Sequence, residues 1–218
     1  MNLAEYRRKG TRLADYLPWA ALVAPGVVLN KDGSLQRSAR FRGPDLDSAV
    51  AAELVAVAGR INNAFRRLGS GWAIFVEAQR VAAADYPDSR FPDPASALLD
   101  AERCAGFAEQ GAHFQSEYVL TLLYLPPAEE AARAETWLYE GRDKSGIDAG
   151  EVLRGFIDRT DRVLALFDGI MPECRWMGDS ETLTYLHSTI STQPHRVRVP
   201  ETPVYLDALL ADQPLTGG

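Results

Sequence analysis

Apolar positions along this chain follow two periods, one extended and one helical. From Leu17 to Arg37, two short extended runs flank the turn Asn30-Lys31-Asp32-Gly33. Asp-Gly supplies the positive φ of a tight turn, so this stretch predicts an N-terminal β-hairpin that ends in Phe41-Arg42-Gly43-Pro44-Asp45. The period then becomes helical. Leu54, Ala58, Ile61, Phe65 and Leu68 trace one face of an amphipathic helix, with N-cap candidates from Asp45 to Ser48 and a stop at Gly69-Ser70-Gly71. Trp72 to Ala78 is aromatic and β-branched and too short for a helix, which predicts a mostly buried strand. Residues 82–93 carry prolines and read as an irregular connection. Asp93 caps a helix that opens on Pro94 and runs to about Gln110 with Leu98, Leu99 and Phe107 inward. Glu117 to Leu125, stopped by Pro126-Pro127, is the strongest strand pattern and should lie centrally in a sheet.

An alanine- and glutamate-rich helix is predicted from Ala128 to Glu140, broken by Gly141 to Gly146. A second helix begins near Gly150 with a buried stripe of Leu153, Phe156, Ile157, Thr160, Val163, Leu164 and Phe167, and Gly169 suits a left-handed residue after it. Glu173 to Met177 reads as a short strand, and Asp179 or Ser180 caps a last helix through Leu183, Leu186 and Ile190. Scattered prolines follow. The organisation expected is an N-terminal anchor or arm over 1–24, an α+β domain over 25–192 and an extended linker over 193–218. The fold class is α+β, a mixed β-sheet with an N-terminal hairpin and helices packed on it, of which a ferredoxin-like arrangement is one version.

Composition narrows the function more than the fold. The 218 residues are 46% hydrophobic, and 30 acidic against 23 basic residues give a net charge of -7. That balance argues against a surface built wholly to hold nucleic acid, and leaves room for a local basic patch. The longest apolar stretch, Leu17 to Leu29, is interrupted by Pro18, Pro25 and Gly26, so it does not read as a membrane span. Tyr6 to Arg12 is basic, but Asp15 and Pro18 follow it, which argues against a signal peptide. Cys104 and Cys174 form no CxxC unit and are expected to be reduced, partly buried thiols.

Motifs of chemistry are missing from the text of the chain. There is no G-x-x-x-x-G-K-[ST] phosphate loop; Gly141-Arg142-Asp143-Lys144-Ser145 lacks the glycine before its lysine and follows a helix. His113, His187 and His195 have no metal-ligand spacing, no GxSxG elbow occurs, and Glu129-Glu130 are neighbours on a solvated helix face. The candidate nucleic-acid contacts are Arg37, Arg40, Arg66 and Arg67. Arg66 and Arg67 equally suit the negative end of their helix dipole, and Arg37 and Arg40 should face opposite sides of a strand. Tyr16, Leu17 and Trp19 are candidate partner-binding residues, since half-wet aromatics suit docking at a membrane or membrane protein; the alternative is that they pack back on the chain's own sheet.

Several strings carry a more specific signal. Leu17 to Arg37, Phe41-Arg42-Gly43-Pro44-Asp45-Leu46-Asp47, Ile61-Asn62-Asn63-Ala64, Arg66 to Trp72, Phe91-Pro92-Asp93-Pro94, Leu120 to Pro127 and Tyr185-Leu186-His187-Ser188-Thr189 resemble, in order, the N-terminal region of the CagE/TrbE/VirB family of type IV secretion ATPases. The resemblance implies a docking and assembly domain, itself without catalytic residues, on the cytoplasmic face of the bacterial inner membrane. It implies as partners the inner-membrane and other subunits of the secretion system, with self-association, and a contact to transferred single-stranded DNA as the alternative role. In that family a RecA-like motor follows this region, so ATP and Mg are expected only there and no cofactor is expected in this region.

Overall fold

The computed structural model describes residues 10–47, 49–83, 86–109, 113–127, 149–193 and 195–215. The helix expected over 128–140, Glu129-Glu130, the loop from Gly141 to Ser145 and the basic residues before Gly10 lie outside them. The first surprise is that the N-terminal hairpin is a three-stranded meander. Pro25-Gly26 breaks the long apolar run into β1 (Trp19–Ala24) and β2 (Val27–Asn30), and β3 (Leu35–Arg42) follows the expected turn. Gly26 has φ 67, a value that costs a side chain steric energy, and its N–H donates to Asp179 Oδ1 at 2.7 Å. At the second turn Gly33 has φ 82, and Asp32 Oδ1 accepts from the Ser34 N–H and hydroxyl at 3.0 and 2.7 Å.

The remaining strands are β4 (Trp72–Ala82), β5 (Phe114–Tyr124) and β6 (Glu173–Trp176). Strand order is β1-β2-β3-β5-β4, with β6 also on β3, and every ladder among the described residues is antiparallel. β5 lies between β3 and β4, the interior place its pattern predicts. The helices are α1 (Leu13–Tyr16), α2 (Ala51–Phe65), α3 (Pro94–Glu109), α4 (Ala149–Asp168), α5 (Asp179–Ser188) and α6 (Leu206–Ala211). Read as β3-α2-β4, then β5-α4-β6, the spatial order β6-β3-β5-β4 interleaves two split β-α-β units, the ferredoxin-like plan within an α+β fold.

Alternation along the strands sends side chains to two helical layers. Leu120 and Leu122 face α2 and α4, where Ala64, Leu68, Val163 and Phe167 close over them; Phe65 meets the Phe167 ring edge-on at 5.3 Å. Val27, Leu29 and Leu35 pack on Phe156 of α4. Val28 and Val119 face the other way, onto Leu183 and Leu186 of α5 and Leu206 and Leu210 of α6. Burying Phe156 and Phe167 fully contributes about 1.5–3 kcal/mol each.

Several expectations are corrected here. The stretch 193–218 is not all extended linker: α6 forms, and Val197, Leu206 and Leu210 are core residues because their isolated apolar side chains meet β1, α5 and α1. In the 1–24 arm, β1 is part of the sheet. β4 is longer than predicted and, among the described residues, is an edge strand that pairs only with β5 and is exposed along much of its length. On α2 only the second half of the stripe is buried; Leu54 and Ala58 are exposed, and the first turn is closed by Glu53, which accepts from the Val50 N–H at 3.0 Å, in place of a cap from Asp45 to Ser48. On α3, Asp93 caps as expected by accepting from the Ser96 N–H at 2.9 Å, but Leu98 and Leu99 point to solvent since no element covers that helix among the described residues. Gly169 does not take the left-handed conformation, the Phe167 carbonyl instead accepting from the N–H groups of Ile170 and Met171. The cap of α5 is Gly178, with Asp179 inside the helix. Cys104 is exposed.

Gly26 should therefore be the costliest glycine in the sheet to replace. A Cβ there would lie 2.2 Å from the Met177 carbonyl oxygen, and Gly26→Ala is expected to lose about 2 kcal/mol or more. Gly155 on α4 has open space, so Gly155→Ala should gain about 0.5–1 kcal/mol in the same urea titration.

Candidate functional site

Each predicted site residue has a definite place in this framework. Leu17 and Trp19 are buried in the cluster of α5 and α6, which removes them from any partner surface, whereas Tyr16 is 71% exposed and its hydroxyl donates to the Gly10 carbonyl. Arg37 and Arg40 do face opposite sides of β3, and both are neutralised within the chain. Arg37 Nη1 donates to Asp161 Oδ1 at 2.6 Å and to Thr160 Oγ1 at 3.0 Å, with its guanidinium over the Trp176 ring. Arg40 pairs with Glu117 and approaches Glu181. Glu181 also takes both arms of Arg175 at 2.8 Å, and this pair holds its carboxyl down to about 2.

Arg66 and Arg67 finish α2 in exposed positions. Arg66 is the C-cap, its N–H donating to the Asn62 carbonyl at 2.9 Å. Arg67 turns to a cleft of about 390 Å³ shared with Leu68, Arg159, Arg162, Val163 and Leu166. The chain leaves this corner through Gly69 and Gly71, both with positive φ; at Gly71 a Cβ would lie 2.7 Å from the Leu125 carbonyl oxygen, so the close approach to β5 requires glycine. Trp72 then stacks on Phe156 at 5.5 Å and leans on Tyr124, over which Arg159 also lies. Arg159 and Arg162 were missed in the sequence. Their one signal is the three-residue spacing on the polar side of the α4 stripe.

The second feature missed is apolar. β4 exposes Phe75 at 55% and Val76 at 65%, on opposite faces of a strand whose outer edge has no partner among the described residues. Ile74 and, on α2, Leu54 and Val55 are exposed too. Glu77 and Gln79 fix β4 to α5: Tyr185 donates to Glu77 Oε2 at 2.8 Å and Gln79 Nε2 to Ser188 Oγ at 2.9 Å. Burial, with Glu77 beside it, pushes the Tyr185 hydroxyl up to about 12.

The histidines and cysteines do not converge. His113 stacks on Phe107 and His195 contacts Gln213 Oε1 at 2.9 Å. His187 is fully buried, its ring edge-on to His195. Among the described residues no group of three or more His, Cys, Asp or Glu could hold a metal, and no helix is long and apolar enough to cross a membrane. Burial, with Asp168 and Glu173 nearby, raises the Cys174 thiol to about 11, which keeps it protonated and unreactive.

Comparison with known proteins gives this surface a context. Residues 26–132 match the family described as type IV secretion system ATPase VirB4/TrbE, N-terminal domain. The chain is 36% identical over 225 residues to a "Conjugal transfer protein TrbE" of Rhizobium radiobacter, an alignment covering 95% of this chain and 27% of that protein. It is 43% identical over 136 residues to a protein of Sinorhizobium fredii (strain NBRC 101917 / NGR234) described as the first portion of a probable conjugal transfer protein TrbE, covering 61% of this chain and 91% of that protein. The chain thus spans about a quarter of the first relative and most of the second.

Burial of His187 lowers its pKa from the usual imidazole value, with the His195 charge acting in the same sense. The unfolded chain therefore binds the proton more readily. This contribution to stability is present above the unfolded pKa of about 6.5 and is lost as pH falls through it toward the folded value. The urea midpoint should fall between pH 7 and pH 5 by more in the wild type than in His187→Leu, and equal falls would contradict this account of His187.

Proposed function

This chain belongs to the VirB4/TrbE N-terminal domain family of type IV secretion system ATPases, and on that premise we propose that it is a non-catalytic docking and assembly domain of a conjugal transfer system. The observation that carries this is β4. An edge strand of eleven residues with exposed Phe75 and Val76, its outer edge without a strand partner among the described residues, offers backbone groups and apolar side chains together, a combination that proteins ordinarily blunt or cover. Leu54 and Val55 of α2, Leu98 and Leu99 of α3 add further uncovered apolar side chains. In this proposal the partners are other subunits of the secretion system, including its inner-membrane components, and the domain works at the cytoplasmic face of that membrane.

Absence of a phosphate loop from the sequence supports a non-catalytic role for this region. Nucleotide and Mg then belong to the motor region of the longer family members. The pairing of Arg37 and Arg40 with carboxylates weighs against those two as DNA contacts, since neither cation is left to neutralise a phosphate, which leaves only Arg66 and Arg67 of the four candidates without an ion pair among the described residues.

Phe75→Glu with Val76→Glu places charge on the exposed strand at little cost to the core. Co-purification with the inner-membrane subunits of the same transfer system should fall roughly tenfold while the urea midpoint stays close to wild type. Undiminished co-purification with both charges in place would sink the role given to β4. Deleting residues 1–24 is a poor substitute for this test, because it removes β1 and the buried Leu17 and Trp19.

A further inference from the structure

We propose that the cleft between the end of α2 and the middle of α4 holds an acidic, apolar-containing peptide segment of a partner subunit, with carboxylates on Arg67, Arg159 and Arg162 and an apolar side chain on Leu68, Val163 and Leu166. The inference rests on the docking role and names the chemistry of what docks.

The cations of this cleft differ from the sheet's Arg37, Arg40 and Arg175 in having no carboxylate among the described residues to hold them, and they differ from singly placed arginines such as Arg66 in lining one cleft together. Lys31, Arg37, Arg40 and Arg175 each have a carboxylate partner, whereas Arg67, Arg159 and Arg162 make no ion pair with a described residue. Arg159 and Arg162 are three apart on α4, a spacing that brings like charges together on a helix face and costs a few tenths of a kcal/mol. Among the described residues, three guanidinium groups and no carboxylate line one small cleft, in a chain of net charge -7. Guanidinium forks match carboxylate geometry in pairs, so an anion with two or more carboxylates gains from all three at once.

The floor selects among anions. Leu68 and Val163 are core residues at the base of the cleft, and Leu166 is partly buried beside them. An apolar floor under a cationic rim fits a peptide that alternates acidic and apolar side chains. It does not extend along a track of phosphates, and an apolar floor offers nothing to a sugar-phosphate backbone. The cleft also adjoins β4, since Leu68 and Trp72 belong to one cluster, so a segment seated there continues toward the exposed strand.

The test uses fluorescence anisotropy of the full chain with three labelled probes: a peptide of repeating Glu-Glu-Leu, its Gln-Gln-Leu counterpart, and a thymidine oligonucleotide. Wild type should bind the Glu peptide and neither of the others. Arg159→Glu with Arg162→Glu should weaken that binding roughly tenfold or more, while Arg66→Glu, on the same helix end and outside the cleft, should leave it within about twofold. Unchanged urea midpoints keep the comparison one of binding. No binding of the Glu peptide by wild type, equal binding by the double variant, or oligonucleotide binding lost in the double variant would overturn the proposal, as would a concentration-dependent dimer in sedimentation that the double variant abolishes. Co-purification with the inner-membrane subunits separates the two ideas. Wild-type capture with no effect of the cleft variant overturns the cleft alone, and failure of wild-type capture overturns the docking role beneath it.

Discussion

Everything in this domain depends on how β3 is shared. One edge of its eight residues pairs with β5 from Leu35 to Phe41, and the other edge is divided between β2 at Leu35–Arg37 and β6 at Ala39–Arg42. A strand paired along both edges resists a slip in register, and a shift by one residue would send Arg37 and Arg40 to the wrong faces. Their carboxylate partners come from β5, α4 and α5, so the ion pairs read the same register as the hydrogen bonds. The hairpin tip at Gly26 adds a tie between the start of the sheet and α5, through Asp179.

That arrangement closes the sheet on one side and leaves it open on the other. β1 and β2 are covered by α1, α5 and α6 on one face, while the helices that follow β3 and β5 cover the middle. Among the described residues β4 is last in the order, and its contacts with the helices lie near Trp72 and at Glu77 and Gln79. Its apolar composition is that of an interior strand in an edge position. The mismatch is the physical reason behind the proposal that partners dock there, and the three arginines beside Leu68 would extend such a surface with charge.

Much of the fold was legible before the structure. The turn at Asp32-Gly33, the helix cap at Asp93, the interior strand over Glu117 to Leu125 and the stripe from Phe156 to Phe167 are local signals that tertiary context reinforces. What was not legible depends on neighbours. The Leu54 and Leu98 positions have helical periodicity, but periodicity names a face without saying whether anything covers it. Trp72 to Ala78 reads as buried because composition does not distinguish a strand with two neighbours from a strand with one. Leu206 and Leu210 look isolated in sequence and become core only because α6 returns to β1. Among candidate site residues, the basic character of Arg67 was visible, and its companions Arg159 and Arg162 were not, since the cleft is made by two helices far apart in the chain.

Hydrogen–deuterium exchange on the isolated chain and on the same chain assembled with the membrane subunits of its transfer system tests the central claim most directly. The outward amides of Trp72–Ala82 have no strand partner on their free side among the described residues, so they should exchange readily alone and become protected on assembly. Protection confined to other elements, with β4 exchanging as fast in the assembly as in isolation, would contradict the account.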